Sequence, residues 1–481
     1  MRTIGRDFGD TARKVYAVAS GALGNGKAVI VNSDGTVSVP AAQLGSSVVF
    51  EQGTPSSLSA VYDPDVNRVV VAYSDEGDGE KGKAVIGTVS GTSISFGSIV
   101  TFANASTAVG SVVYDTNSDK AVIAYLDNDN SSGSGTAIVG TISGTSVSFG
   151  SEAVFQSGQI GTVKAAFDST SNKIVFAYSN TASDSEHGYA IVGTVSGTNI
   201  SFGSSAEFEN AQVKEIAAIY DPNANKTVIA YSDWGNSRYG TAIVATVSGT
   251  SISFGSAAIF ESARITNTCG VFDPDTNKVV IAYTDTGNSS YGTVVVSTVS
   301  STSISFGTPV VFESASTAQM EKIAYDTSAN KVVIGYNDGG NSSYGTIIYG
   351  TVSGTSISFE SPVVFLTENT MFINSIFDPD NDNLVLIYRD QGNSEYGTGV
   401  VYNSDGKPLT SENFIGITPS GYPTGAGAEI QTKGAVNEEQ SGLTAGQSYF
   451  VQTDGTLGTT AGSPSVFAGT AVSATKLIVK G

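Results

Sequence analysis

Residues 283–312 read YTDTGNSSYGTVVVSTVSSTSISFGTPVVF, and nearly the same line recurs at 231–260 and 336–365. Its apolar positions take two forms. Runs such as KVVIAYTD are almost continuously apolar, which predicts strands covered on both faces. TVVVSTVS and SISFGTPVVF alternate, which predicts strands with one buried face. Clusters of Gly, Ser, Asn and Asp separate them, as turns require.

The phrase (Y/F)-D-x-x-x-x-(K/R) marks the period. Its aspartate falls at Asp63, Asp115, Asp168, Asp221, Asp273, Asp326 and Asp378, always 52 or 53 residues apart. The basic residue follows at Arg68, Lys120, Lys173, Lys226, Lys278 and Lys331, with Asn383 in the last copy. Each unit reads as four strands. In the copy from Glu215 these are an inner strand EIAAIYD, a second strand KTVIAYSD, a third strand TAIVATVS and an outer strand SISFGSAAIF. A four-stranded antiparallel meander of roughly 50 residues has the size of a propeller blade. An unpaired outer strand around Val48 and Phe50 precedes the first marker, and the last unit stops after its third strand, YGTGVVY. The strand near residue 48 would complete the blade begun around Ile376. The prediction is therefore an all-β chain with a seven-bladed propeller over 46–402, closed by an N-terminal strand.

The flanks, 1–45 and 403–481, contain SDGT and TDGT between short alternating runs, which are hairpin signals. Ring closure would bring them together, so they are expected to form one small β module, with 1–45 supplying an arm and its first part. Residues 8–19 (FGDTARKVYAVA) are expected to be a short helix or a docking arm.

Composition narrows the function. The 56 glycines, 21 tyrosines and 22 phenylalanines suit many short strands and tight turns. A net charge of −21 argues against nucleic-acid binding. Cys269 is the single cysteine, so no internal disulfide framework is expected. The first residues carry charges rather than an apolar run, and neither a secretory signal nor a membrane span is expected.

Three stretches, 21–39 (GALGNGKAVIVNSDGTVSV), 413–436 (NFIGITPSGYPTGAGAEIQTKGAV) and 442–481, resemble flanking segments of virion structural proteins of tailed phages, particularly marine phages. The repeats are similar to arrays in tail, fibre or appendage proteins of such phages. The resemblance implies a virion component assembled in the host cytoplasm, oligomeric in the particle, and bound to other virion proteins through the terminal module. It supplies no catalytic residues.

Chemistry is sparse. Sialidase-type propellers need an arginine cluster and a Ser-x-Asp-x-Gly-x-Thr-Trp box. Here only Arg238 and Arg389 lie in suitable loops, and the single tryptophan, Trp234, sits in no such box. His187 is the lone histidine and reads as a loop residue, and Cys269 reads as buried. No enzyme and no cofactor are expected. Calcium is the one ion suggested, by oxygen-rich turns at 273–278 and 378–383, although Asp and Asn there serve turn geometry equally well and no terminal bidentate Glu follows.

The loops between second and third strands are the candidate ligand sites. They repeat Asp233, Asp285, Asp338 and Asp390, then Asn236, Asn288, Asn341 and Asn393, then Tyr239, Tyr291, Tyr344 and Tyr396, with Trp234 in one copy. Tyrosine faces stack on sugar rings, Asp and Asn bond hydroxyls, and repetition adds avidity, so host-surface polysaccharide is the ligand these residues would suit, while the favoured reading is that they shape each loop and pack blade against blade. The alternatives are a purely architectural decoration or spacer, in which these residues only shape the loops, and a polysaccharide-degrading enzyme, which would need a converging acid pair.

Overall fold

The computed structural model describes residues 13–480, apart from 33, 41–43, 130–132, 182–185, 405–406, 408, 453–454 and 463. The described residues are built of strands, with two single-turn 3-10 segments and no α-helix. The chain divides into two compact units, one from residues 46–402 and one from the described parts of 1–45 and 403–481.

In the first unit every repeat builds an antiparallel sheet. In one example, the second half of Ala258–Asp273 pairs with Lys278–Asp285, which pairs with Tyr291–Ser300. That third strand then takes two partners, Ser303–Phe306 at its end and Val310–Ala318 at its start. The outer strand is thus two pieces rather than the continuous strand expected. Its second piece also runs on into the inner strand of the following sheet, as in the 16-residue strand Ala258–Asp273. At the break the turn of the next sheet comes close and requires glycine. A Cβ on Gly255 would lie 1.8 Å from the carbonyl oxygen of Thr302, in the turn of the next sheet. Gly97, Gly150, Gly203 and Gly307 face Thr145, Thr198, Thr250 and Thr355 in the same way. The sixth repeat has Glu360 at this position, where the last unit ends at Tyr402 without such a turn. Gly255→Ala is therefore expected to lower stability by about 1–3 kcal/mol, whereas Glu360→Ala should stay within about 0.5 kcal/mol. Urea midpoints check both.

The repeated aspartate closes the turn after each inner strand. The Asp273 carboxylate accepts the backbone N–H of Asp275 (2.9 Å) and of Thr276 (3.2 Å), and Asp378 accepts those of Asp380 and Asn381.

Apolar cores lie between successive sheets rather than within them. Val280, Ala282 and Val294 pack with Val332, Ile334 and Tyr336, joining the fifth repeat to the sixth. Each core centres on an aromatic pair such as Phe260 on Tyr283, with ring centroids 5.2 Å apart. The glycine of the Tyr-Gly pair admits that phenylalanine, since a Cβ on Gly240 would lie 2.5 Å from the Phe260 ring.

The last sheet meets the first by the contacts that join the first to the second. Val48–Glu51 pairs with Tyr396–Tyr402, and Phe50 packs 5.5 Å from Tyr73. Asn383 donates to the Gly91 carbonyl as Arg68 donates to that of Gly144. The Ala60 N–H meets Asn374 Oδ1 as the Val112 N–H meets Ser59 Oγ. Leu58 and Ala60 share a core with Ile376, Val385 and Ile387.

The second unit holds two five-stranded sheets. Ala28–Val31 pairs with Phe414–Ile417, and Lys14–Val18 with Gly427–Gln431, so both chain ends contribute to one sheet. Lys14–Val18 is a strand, where a short helix or a docking arm is expected over 8–19; residues 8–12 lie outside the described residues. The strand forms the edge of the sheet, with Val15, Tyr16 and Val18 exposed, and Lys14 pairs with Glu429 at 3.0 Å. The hairpin expected at TDGT is present as Ser448–Val451 paired with Leu457–Gly458, with residues 453–454 outside the described residues. Ala28 and Ile30 pack on Val451, Val466 and Ala468, which fixes the two sheets face to face.

Candidate functional site

The repeated loops are largely architecture. Asp233, Asp285, Asp338 and Asp390 are buried. Asp285 Oδ1 accepts the N–H of Gly287 (2.9 Å) and Asn288 (3.1 Å), and Asp390 accepts those of Gly392 and Asn393. Asp338 caps Gly340, and Asp233 caps Asn236. Burial raises the carboxyl pKa of Asp233 and Asp390. These four carboxylates are committed to their own turns and do not present themselves to a sugar. Asn236, Asn288, Asn341 and Asn393 stay exposed at the tips, and Tyr239, Tyr291, Tyr344 and Tyr396 are half-buried at the first position of their strands. Trp234 is not a free platform, because the Arg238 guanidinium lies 3.8 Å from its ring centroid. None of these residues lines the cavity that all seven inner strands share.

That central cavity, about 80 Å³, is the feature that was not anticipated. The residue four before each marker aspartate lines it: Ser59, Ser111, Lys164, Ala217, Cys269, Lys322 and Asn374. Position and spacing are repeated while chemistry is not. An adjoining cavity of about 250 Å³ shares Lys164 and Glu321 with it and adds Lys214, Glu215 and, from the divergent third loop, Glu186. A signal for these residues existed in the sequence. The other strands largely keep their residue types from copy to copy, whereas the first half of the inner strand varies, and the position four before the marker runs through serine, lysine, alanine, cysteine and asparagine.

Polar contacts order the cluster. Lys164 Nζ lies 3.4 Å from Glu321. Glu215 accepts the Asn267 N–H at 2.8 Å, and burial raises its carboxyl pKa. Lys322 donates to the Ala60 carbonyl at 2.9 Å; burial, followed by the charge of Lys164, lowers its pKa to about 8. Asn374 is saturated by Ala60, Leu58 and Phe372. The backbone here is strained: Ser57, Glu215, Asn267, Gln319 and Phe372 all adopt positive φ, between 48° and 62°. Each such residue costs on the order of 1 kcal/mol, and strain of this kind collects at binding sites.

The remaining candidates behave as ordinary side chains. Burial pushes the Cys269 thiol up to about 12, which keeps it protonated and unreactive. His187 lies 2.8 Å from Glu207. In the turns considered for calcium, Asp273 and Asp378 spend their oxygens on backbone N–H groups, on Thr276 Oγ1 and on Asn381 Nδ2. Among the described residues no group of three or more His, Cys, Asp or Glu is placed to hold a metal, and no helix is long and apolar enough to cross a membrane.

No protein-family model matches the chain, and no curated protein matches it significantly.

Proposed function

We propose that residues 46–402 form a seven-bladed β-propeller, closed by the Val48–Glu51 strand, in a non-enzymatic structural protein of a tailed-phage particle. The unit made by the two chain ends docks on other virion proteins, and the propeller is displayed for adhesion to host-surface polysaccharide. One observation carries the binding part of this reading. Three strands of every sheet repeat nearly unchanged, whereas the inner strands place lysine, glutamate and asparagine, on strained backbone, around one shared cavity. A repeat array needs no such divergence for its own packing. The propeller itself is supported by successive cores and by the matching contacts between last and first sheets.

A purely architectural role is the second reading, favoured by the capping of Asp233, Asp285, Asp338 and Asp390 in their own loops. Glycan-array binding of the full chain separates the two. Adhesion predicts retention on host-envelope polysaccharide, reduced by substitutions at Lys164 and Lys322 more than by Asn288→Ala. No retention on any envelope preparation supports the architectural role instead.

A further inference from the structure

We propose that the central cavity binds a small oxyanion, a carboxylate, sulfate or phosphate group, between the ammonium groups of Lys164 and Lys322. The two lysines occupy the same repeat position three units apart and line one cavity. In a chain of net charge −21 this cavity carries two ammonium groups against one carboxylate, that of Glu321. Lys164 has Glu321 at 3.4 Å, but among the described residues Lys322 has a carbonyl, that of Ala60, as its bonded partner and no carboxylate. An ammonium has three donors, so two of those on Lys322 remain unspent. The Ser59 hydroxyl, which accepts from the Val112 N–H, keeps its own proton to give. A second charge of like sign facing a half-buried lysine is unfavourable until an anion sits between them. The cavity of about 80 Å³ is large enough for several waters, and so for an oxyanion group. An acidic sugar would insert its carboxylate or sulfate between the two lysines, with its ring free to extend into the wider cavity beside Lys214 and Glu186.

The anion site stands apart from the adhesion reading, since a free ion satisfies it equally well. Calorimetric titration of the full chain at pH 7 and constant ionic strength tests it, with sodium sulfate, a hexuronate and a neutral hexose as probes. Sulfate should bind, and Lys322→Met should weaken it by at least about tenfold, the usual effect of losing a charged hydrogen-bond donor. Lys164→Met provides the independent second variant. Affinity should fall as pH rises through about 8, where Lys322 loses its proton. The other groups facing it are Lys164, Glu321, Glu215 and Cys269; the thiol stays protonated to about 12. Sulfate binding without uronate binding would support the site and assign it to a free ion. Binding of both, without the neutral hexose, would support it and assign it to an acidic glycan. No sulfate binding, equal binding by both methionine variants, or equal binding of the neutral hexose would overturn the proposal. Failure on the glycan array with sulfate binding intact would count against adhesion alone.

Discussion

Phe50→Ala is expected to destabilise the protein by about 3–5 kcal/mol, the loss usual for a buried phenylalanine, although it lies in a strand of only four residues, Val48–Glu51. Short strands near a domain boundary ordinarily fray, and substitutions there cost little. Here the side chain is 7% exposed and sits between two aromatic rings of the first sheet, Tyr73 at 5.5 Å and Phe96 at 5.2 Å. Its backbone meanwhile pairs with the last sheet, at Thr398 and Gly399 through Val49 and Val48. Phe50 thus holds residues more than 300 positions apart, and removing it empties the core shared by Leu58, Val71, Val385 and Ile387. Phe260, between Tyr283 and Phe306 in mid-array, is the internal standard. Equilibrium urea unfolding should give similar losses for Phe50→Ala and Phe260→Ala. A near-zero loss at Phe50 beside a full loss at Phe260 would mean that first and last sheets part freely, and the closed propeller would be wrong.

Much of this was legible in the chain. The period, the apolar run of each second strand and the partial repeats at both ends pointed to the strand near Val48 and its partner near Tyr396. These signals are strong because each is repeated, and a repeated turn aspartate or Tyr-Gly pair reports one local steric need many times. The broken outer strand was harder to read. The strand is broken at Glu360 as it is at Gly255, so the residue type there does not announce the break, and the approach of Thr302 to Gly255 leaves only a glycine in sequence. Lys14–Val18 reads as helix or arm in the sequence because five residues without a clear period, next to charges, resemble either, and the partner that makes them a strand is more than 400 residues away. The candidate loops were chosen by repetition, which selects for architecture. Their aspartates proved to be caps. The central cluster was overlooked for the converse reason: Lys164, Lys322 and Asn374 break the pattern, and only the packing of inner strands around one cavity brings them together.

Lys322→Met should make the protein more stable at pH 7 by up to about 3 kcal/mol, and the gain should shrink as pH rises. An ammonium taken from water into the cavity holds its proton less firmly, so the pKa falls from 10.5 in the unfolded chain to about 8 in the folded one. Between those values the unfolded chain binds more protons, and stability therefore rises with pH. Below about 8 both states are charged and the folded state carries the whole desolvation cost, about 1.4 kcal/mol for each pH unit separating the two pKa values. Methionine fills similar space without a charge to bury. The gap between variant and wild type should narrow by about 2 kcal/mol from pH 7 to pH 9.5. Comparing the two proteins at each pH cancels the titration of the buried tyrosines, and stopping at 9.5 keeps them protonated in the unfolded chain. Sulfate should close part of the same gap at pH 7 by stabilising the wild type alone, since a ligand that binds only the folded state adds stability by mass action. A stabilising variant that weakens anion binding is the pattern of a residue retained for a ligand at the expense of the fold. A variant that is less stable at pH 7, or a gap that does not change with pH, would show that the Lys322 ammonium is well solvated and not held in a desolvated cavity.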